Sequence, residues 1–135
     1  MIYLLDTTTF SDLMREQPRT QARVASLAAT DSVAICSVVR GEIRYGIERL
    51  PPGKRRETLE AKSRRLLAAI PCESVPPAAG DQYGRIKAAV QNRGLSLDEN
   101  DLWIAATALS LEATLISRDS DFERVDGLGL VDWSE

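Results

Sequence analysis

Short apolar runs, none long enough for anything but a strand, recur along this chain and alternate with helical patterns. They fall at Ile2 to Leu5, Ser32 to Cys36, Pro71 to Val75, Ala113 to Ile116 and Leu128 to Val131. A continuous apolar run of this length is the signature of a strand buried on both faces, as in a parallel sheet. Strands separated by helices form βαβ units, whose crossovers cover both faces of the sheet. The expectation is an α/β chain with a five-stranded parallel sheet in a three-layer α/β/α sandwich.

The intervening segments carry helix signals. A short helix is expected over residues 8 to 15 and a second from about 18 to 29, with Pro18 in its first turn. Ser37 reads as the N-cap of a third, which Pro51-Pro52-Gly53 ends. A charged fourth helix presents Leu59, Leu66, Leu67 and Ile70, and a fifth spans residues 77 to 93 before Gly94. Ser96-Leu97-Asp98-Glu99 matches a capping box. It starts a sixth helix near 97, with Leu102, Ile104, Ala105, Ala108 and Leu109 toward the core and Asp101 in its second turn.

A length of 135 residues suits one domain over 1–135, and 44% hydrophobic with 27% charged residues is a globular balance. No apolar run approaches the ~20 residues of a membrane span, and no basic region precedes the first one. The expected location is the cytoplasm, without membrane contact. Cys36 and Cys72 both fall in strand-like runs and read as buried small hydrophobes rather than a disulfide or a zinc site. Histidine is absent. Ser-His-Asp and Cys-His machinery is thereby excluded, and carboxylates are left as the plausible metal ligands.

Four acids stand where elements change: Asp6 after the first run, Glu42 inside the third helix, Asp101 early in the sixth, and Asp119 after the fourth run. Asp6 and Asp119 can each be read as helix caps, and Glu42 and Asp101 as solvated helix residues. Taken together those readings are poor, because Glu42 and Asp101 lie in apolar helical sequence, where an unpaired carboxylate is expensive to bury. All four reach one sheet edge if strands one and four are neighbours, which requires the strand order to reverse beside strand one. Converging carboxylates repel by about 1 to 4 kcal/mol per pair at ~4 Å. An oxygen-only set suits Mg²⁺, with Mn²⁺ as a substitute, and such ions activate water for phosphodiester hydrolysis.

Between Arg40 and Arg65 nine lysines and arginines face four glutamates, a balance of +5 in a chain of net charge −3. Such a stretch is either a solvated helix surface or a face that meets phosphate or an acidic partner segment.

Leu4-Leu5-Asp6-Thr7-Thr8, the segment from Val38 to Gly46, Asn100 to Leu109, and Leu115 to Val125 together resemble the PIN domain. More narrowly they resemble VapC-type ribonuclease toxins of toxin–antitoxin pairs, and the likeness runs to Asp132-Trp133. The resemblance implies a magnesium-dependent endoribonuclease that cleaves RNA, is restrained by a cognate VapB-like antitoxin, and forms a homodimer. It places the four family acids on Asp6, Glu42, Asp101 and Asp119. It also implies a hydrophobic groove for the antitoxin among the helices between residues 8 and 70. Asp121 reads either as an outer or second-metal residue or as the cap of the short helix holding Phe122. Where the family commonly has Asp-Thr-Asn, this chain has Asp6-Thr7-Thr8, so a hydroxyl replaces an amide at Thr8.

Two other classes compete. A PIN-like module could bind RNA or protein without cleaving it. An aspartyl-phosphate phosphatase could use Asp6 as nucleophile, but it wants a second Asp where Thr8 stands.

Overall fold

In the computed structural model, which describes residues 1–135, β1 (Ile2–Leu5) is the central strand of a five-stranded sheet. β2 (Ser32–Cys36) and β4 (Thr114–Ile116) flank it, with β3 (Cys72–Glu73) beyond β2 and β5 (Leu130–Val131) beyond β4. Every pairing is parallel. Strands one and four are neighbours as expected, with Tyr3 opposite Thr114, Leu4 opposite Leu115 and Leu5 opposite Ile116. The order therefore reverses beside β1, and the crevice this creates lies beyond the carboxyl ends of β1 and β4.

Burial explains the order. Leu4, Leu5, Ile35, Leu115 and Ile116 are fully buried on the three inner strands, where helices cover both faces. The two edge strands are only two residues long each, which limits the unpaired ladder they leave open. Cys72 lies on such an edge and is exposed, unlike the buried Cys36. The expectation that both cysteines are core residues fails at Cys72, because β3 pairs on one side only.

The helices are α1 (Thr7–Met14), α2 (Pro18–Ala25), α3 (Ser37–Glu48), α4 (Lys54–Ala69), α5 (Pro77–Asn92) and α6 (Glu99–Ser110), followed by a 3-10 helix at Ser120–Arg124. α1, α3 and α4 pack on one another with α2 against α1, α5 packs along α6, and α3 also meets α6. Right-handed crossovers send the first group to one face and the second to the other, which makes the three-layer α/β/α arrangement.

Three local expectations shift. α2 ends at Ala25 instead of 29, because the Ser26 hydroxyl turns back onto Arg23 O and Asp31 accepts from the Ala28 amide to form the turn into β2. Ser37 is the first residue of α3 rather than its cap; its hydroxyl donates to Glu73 O in β3. The cap of α6 is Asp98, whose side chain accepts from Asn100 N, while Ser96 stays in the loop with its carbonyl bound by Arg124. Asp101 consequently sits in the first turn of α6, not the second.

Candidate active site

Asp6 is positioned by the break between β1 and α1. Its backbone amide continues the ladder by donating to Ile116 O at 3.1 Å, and its Oδ1 accepts from Thr9 N at 2.8 Å, capping α1. Thr9 Oγ1 donates to the same Ile116 carbonyl at 3.0 Å, so the first turn of α1 is tied to the end of β4. Burial raises the Asp6 pKa, the Ser117 hydroxyl and the Thr9 amide counter it, and the Asp119 charge raises it further. A buried carboxylate with one oxygen committed to its own helix keeps the other for the crevice.

Glu42 comes from midway along α3 and is partly buried. Thr7 Oγ1 donates to its Oε1 at 2.6 Å, bringing α3 to the start of α1. Asp119 follows β4, where its amide donates to Ser117 Oγ and its Oδ1 accepts from Asp121 N at 2.9 Å, capping the 3-10 helix. Asp101 enters from the N-terminus of α6. Its pKa is pushed up to about 7, first by desolvation and then by the charges of Asp98, Asp119, Glu42 and Asp6.

That last shift locates the constellation: three of the four charges acting on Asp101 belong to the other acids singled out in the sequence. No lysine or arginine pairs with any of the four. The ion pairs of the molecule go instead to Asp12, Asp31, Glu48, Glu60, Glu99, Asp121 and Asp126. No three acids lie close enough to form a ready ligand cage as they stand; the four share a field rather than a contact. Their chemistry nevertheless suits a hard divalent cation: the set is all oxygen, like-charged and uncompensated by any lysine or arginine.

Thr8 is partly buried and its hydroxyl bonds none of the acids; the threonine that does is Thr7. Asp121 pairs through Oδ1 with Arg124 at 3.1 Å at the surface, and the N-cap of that 3-10 helix is Asp119 rather than Asp121. Thr7, Ser117 and Asp98 are the site residues that sequence reasoning missed. Asp98 alone carried a signal, as an acid inside the capping pattern.

A groove of about 1110 Å³ opens from the site. Thr7, Glu42 and Asn100 line it beside the acids, Met14, Val38, Ile43, Ile47, Leu50 and Leu59 make it apolar, and Arg15, Arg49, Lys54 and Arg55 add positive charge. Three of those cations come from the basic stretch between Arg40 and Arg65. Others in that stretch are internally paired, Arg44 with Glu48 and Glu60 and Arg56 with Glu48.

The profile of one protein family, described as PIN domain, matches residues 3–128. The chain belongs to the PIN-domain family. Among curated relatives, ribonuclease VapC1 of Haemophilus influenzae is 30% identical over 140 residues and ribonuclease VapC2 of Rickettsia felis 28% over 137, each alignment covering 100% of both chains. Among solved structures, the Rickettsia felis VapBC2 complex bound to a promoter DNA fragment superposes on this PIN domain with TM-score 0.90 at 27% identity. It covers 98% of this chain and 99% of that one. VapBC-1 from nontypeable Haemophilus influenzae gives TM-score 0.88 at 28% identity, covering 100% of both chains.

Proposed function

We propose that this PIN domain is a divalent-cation-dependent endoribonuclease and the toxin of a toxin–antitoxin pair. One observation carries the reading: Asp6, Glu42, Asp101 and Asp119 arrive from four separate elements to share one electrostatic field with no basic partner. Like charges gathered in this way are costly unless a cation offsets them. The relatives named ribonuclease VapC support the same reaction class.

Mg²⁺, or Mn²⁺ in its place, would be held by Asp6, Asp101 and Asp119, with Glu42 as a further ligand or as the group that orients the attacking water. Bound there, the ion would supply an acidified water and charge neutralisation at the phosphorus. The protein's own part is positional. The Thr9 amide fixes Asp6 at the end of β1, and the Thr7 hydroxyl holds Glu42 from α3. Asp98 caps α6 so that Asp101 projects from its first turn. Fully buried Leu5 and Ile116 keep the sheet side of the crevice dry, which strengthens every charge interaction within it.

The groove beside the acids supports the antitoxin. An apolar floor with exposed cations fits a partner segment that is amphipathic, with acids among its apolar anchors, and the VapBC names of the structural relatives are those of complexes. Homodimerisation is part of the same proposal and is read from the mass of the purified protein in solution.

The test is cleavage of RNA by purified protein with EDTA, Mg²⁺ or Mn²⁺, alongside Asp6→Asn and Asp101→Asn. Cutting is expected only with a divalent ion and is expected to vanish in both variants while circular dichroism stays unchanged. Full activity in either variant overturns the site. RNA binding without cleavage in either metal replaces the nuclease with a binding module.

A further inference from the structure

Six residues beyond Asp6 on α1, Asp12 is 3% exposed and carries two arginines on one oxygen. Arg15 Nη2 donates to Asp12 Oδ1 at 2.7 Å, and Arg118 Nη2 donates to the same atom at 3.3 Å. Arg15 lies one turn further along α1, and Arg118 immediately precedes Asp119 after β4. Each guanidinium uses a single nitrogen on Asp12. Both side chains are about half exposed, at 62% and 45%.

One arginine would neutralise a buried carboxylate. Two leave the cluster with a local charge of +1 and with most of the N–H donors of both forks unclaimed by protein. At 1.5 Å per helical residue Asp12 stands ~9 Å along α1 from Asp6, so the pair flanks the acids instead of entering them. Arg15 also lines the groove that starts at Thr7 and Glu42. A polyanion approaching four carboxylates is repelled, and one divalent ion offsets only half of their formal charge. A fixed positive pair one phosphate or two away supplies attraction without disturbing the metal ligands. Guanidinium forks match phosphate oxygens, and forks already anchored on a buried carboxylate lose less freedom when they bind.

We propose that Asp12 gathers Arg15 and Arg118 into a phosphate clamp that holds the backbone of an RNA strand beside the acidic crevice. The clamp rests on the ribonuclease reading and adds to it the residues that seat the substrate. Arg15 and Arg118 touch the phosphates; Asp12 acts through them and is a positioning residue.

Binding of a fluorescently labelled single-stranded RNA oligonucleotide, measured in EDTA so that nothing is cut, tests it. Arg118→Gln is expected to weaken binding about tenfold, the size of one charge-assisted contact, and to lower the slope of log affinity against log salt by about 0.7. Arg15→Gln, a change at an exposed side chain, should act in the same direction. Arg118→Lys keeps the charge and loses the fork, so its affinity falls between the two. Asp12→Asn gives the decisive sign. If these arginines contributed charge alone, removing an anion would tighten RNA binding, whereas loss of the anchor in a clamp weakens it several-fold. Thermal unfolding of each variant separates this from misfolding, and should Asp12→Asn not fold, the two arginine variants decide. Unchanged affinity in both arginine variants, or tighter binding by folded Asp12→Asn, overturns the clamp alone when the wild type binds and cuts RNA. A wild type that neither binds RNA nor cuts it with metal overturns the ribonuclease reading, and the clamp with it.

Discussion

The Thr7 hydroxyl donates a 2.6 Å hydrogen bond to Glu42 Oε1, joining the first turn of α1 to the middle of α3 across 35 residues of sequence. The bond fixes one carboxylate oxygen of Glu42 and leaves the other for the crevice. Thr7→Val keeps the shape of the side chain and removes the donor. Loss of an outer hydrogen bond that orients a ligand typically lowers metal affinity or activity about 10- to 100-fold. The expected result is an RNA cleavage rate reduced within that range, with a thermal midpoint close to wild type, and restoration by Thr7→Ser. A Thr7→Val protein as active as wild type would show that Glu42 needs no orientation.

Asp101 makes the metal-free protein sensitive to pH. Its folded-state pKa is pushed up to about 7, whereas an unfolded chain holds an Asp near about 3.9. Between those values the folded protein retains a proton that the unfolded chain has lost. Stability therefore falls as pH rises through that window, and the penalty is fully present above about 7. Burial raises Asp6 in the same sense. Denaturant titrations in EDTA at pH 5 and pH 8 should give a lower midpoint at pH 8. Asp101→Asn should flatten the difference, and Mg²⁺ should raise the pH 8 midpoint more than the pH 5 one. A wild type equally stable at both pH values in EDTA would mean that burial and the neighbouring charges do not hold a proton on Asp101.

The parts of this molecule that sequence exposed are those where burial writes a continuous signal. The runs at Leu4-Leu5, Ile35-Cys36 and Leu115-Ile116 are fully buried and could only be inner strands, and the acids after them were conspicuous as breaks. Details that depend on a single residue of phase were not exposed. A helix turns about 100° per residue, so which of Thr7, Thr8 and Thr9 meets Glu42 depends on where α1 begins. The same sensitivity moved the α6 cap from Ser96 to Asp98. Cys72 has the sequence of a strand residue but sits on an edge, and edge position is a property of the whole sheet. Asp121 pairs with Arg124, and Asp12 gained importance only because α1 runs past Arg118. Such pairings join residues that no local pattern relates.

α3 carries Gly41 and Gly46, and both line the groove. Glycine inside a helix costs about 0.5 to 1 kcal/mol relative to alanine, and a Cβ built at either position meets nothing within 4 Å. Folding does not require them to be glycine. A partner segment lying close against the α3 backbone would. Gly46→Ala is expected to raise stability by about 0.5 kcal/mol or more, read as a higher denaturant midpoint. Gly46→Trp should leave RNA cleavage intact and weaken inhibition by the proposed antitoxin. Inhibition of Gly46→Trp at the wild-type antitoxin concentration would move the partner off this groove.

Asp119 has two roles that substitution can separate. Its Oδ1 caps the 3-10 helix through Asp121 N at 2.9 Å, and its charge raises the pKa of both Asp6 and Asp101. Asparagine caps as well as aspartate, whereas alanine does not cap and its substitution typically costs about 1 kcal/mol. Asp119→Asn is expected to fold with at least wild-type stability in EDTA at pH 8, because the cap survives and a repelling charge is gone. Asp119→Ala loses the cap while gaining the same electrostatic relief, and so should unfold at lower denaturant than Asp119→Asn. Both should lose metal-dependent cleavage, since neither presents a carboxylate. Equal stability of the two variants would mean the cap does not matter, and cleavage retained by Asp119→Asn would remove Asp119 from the metal-facing set.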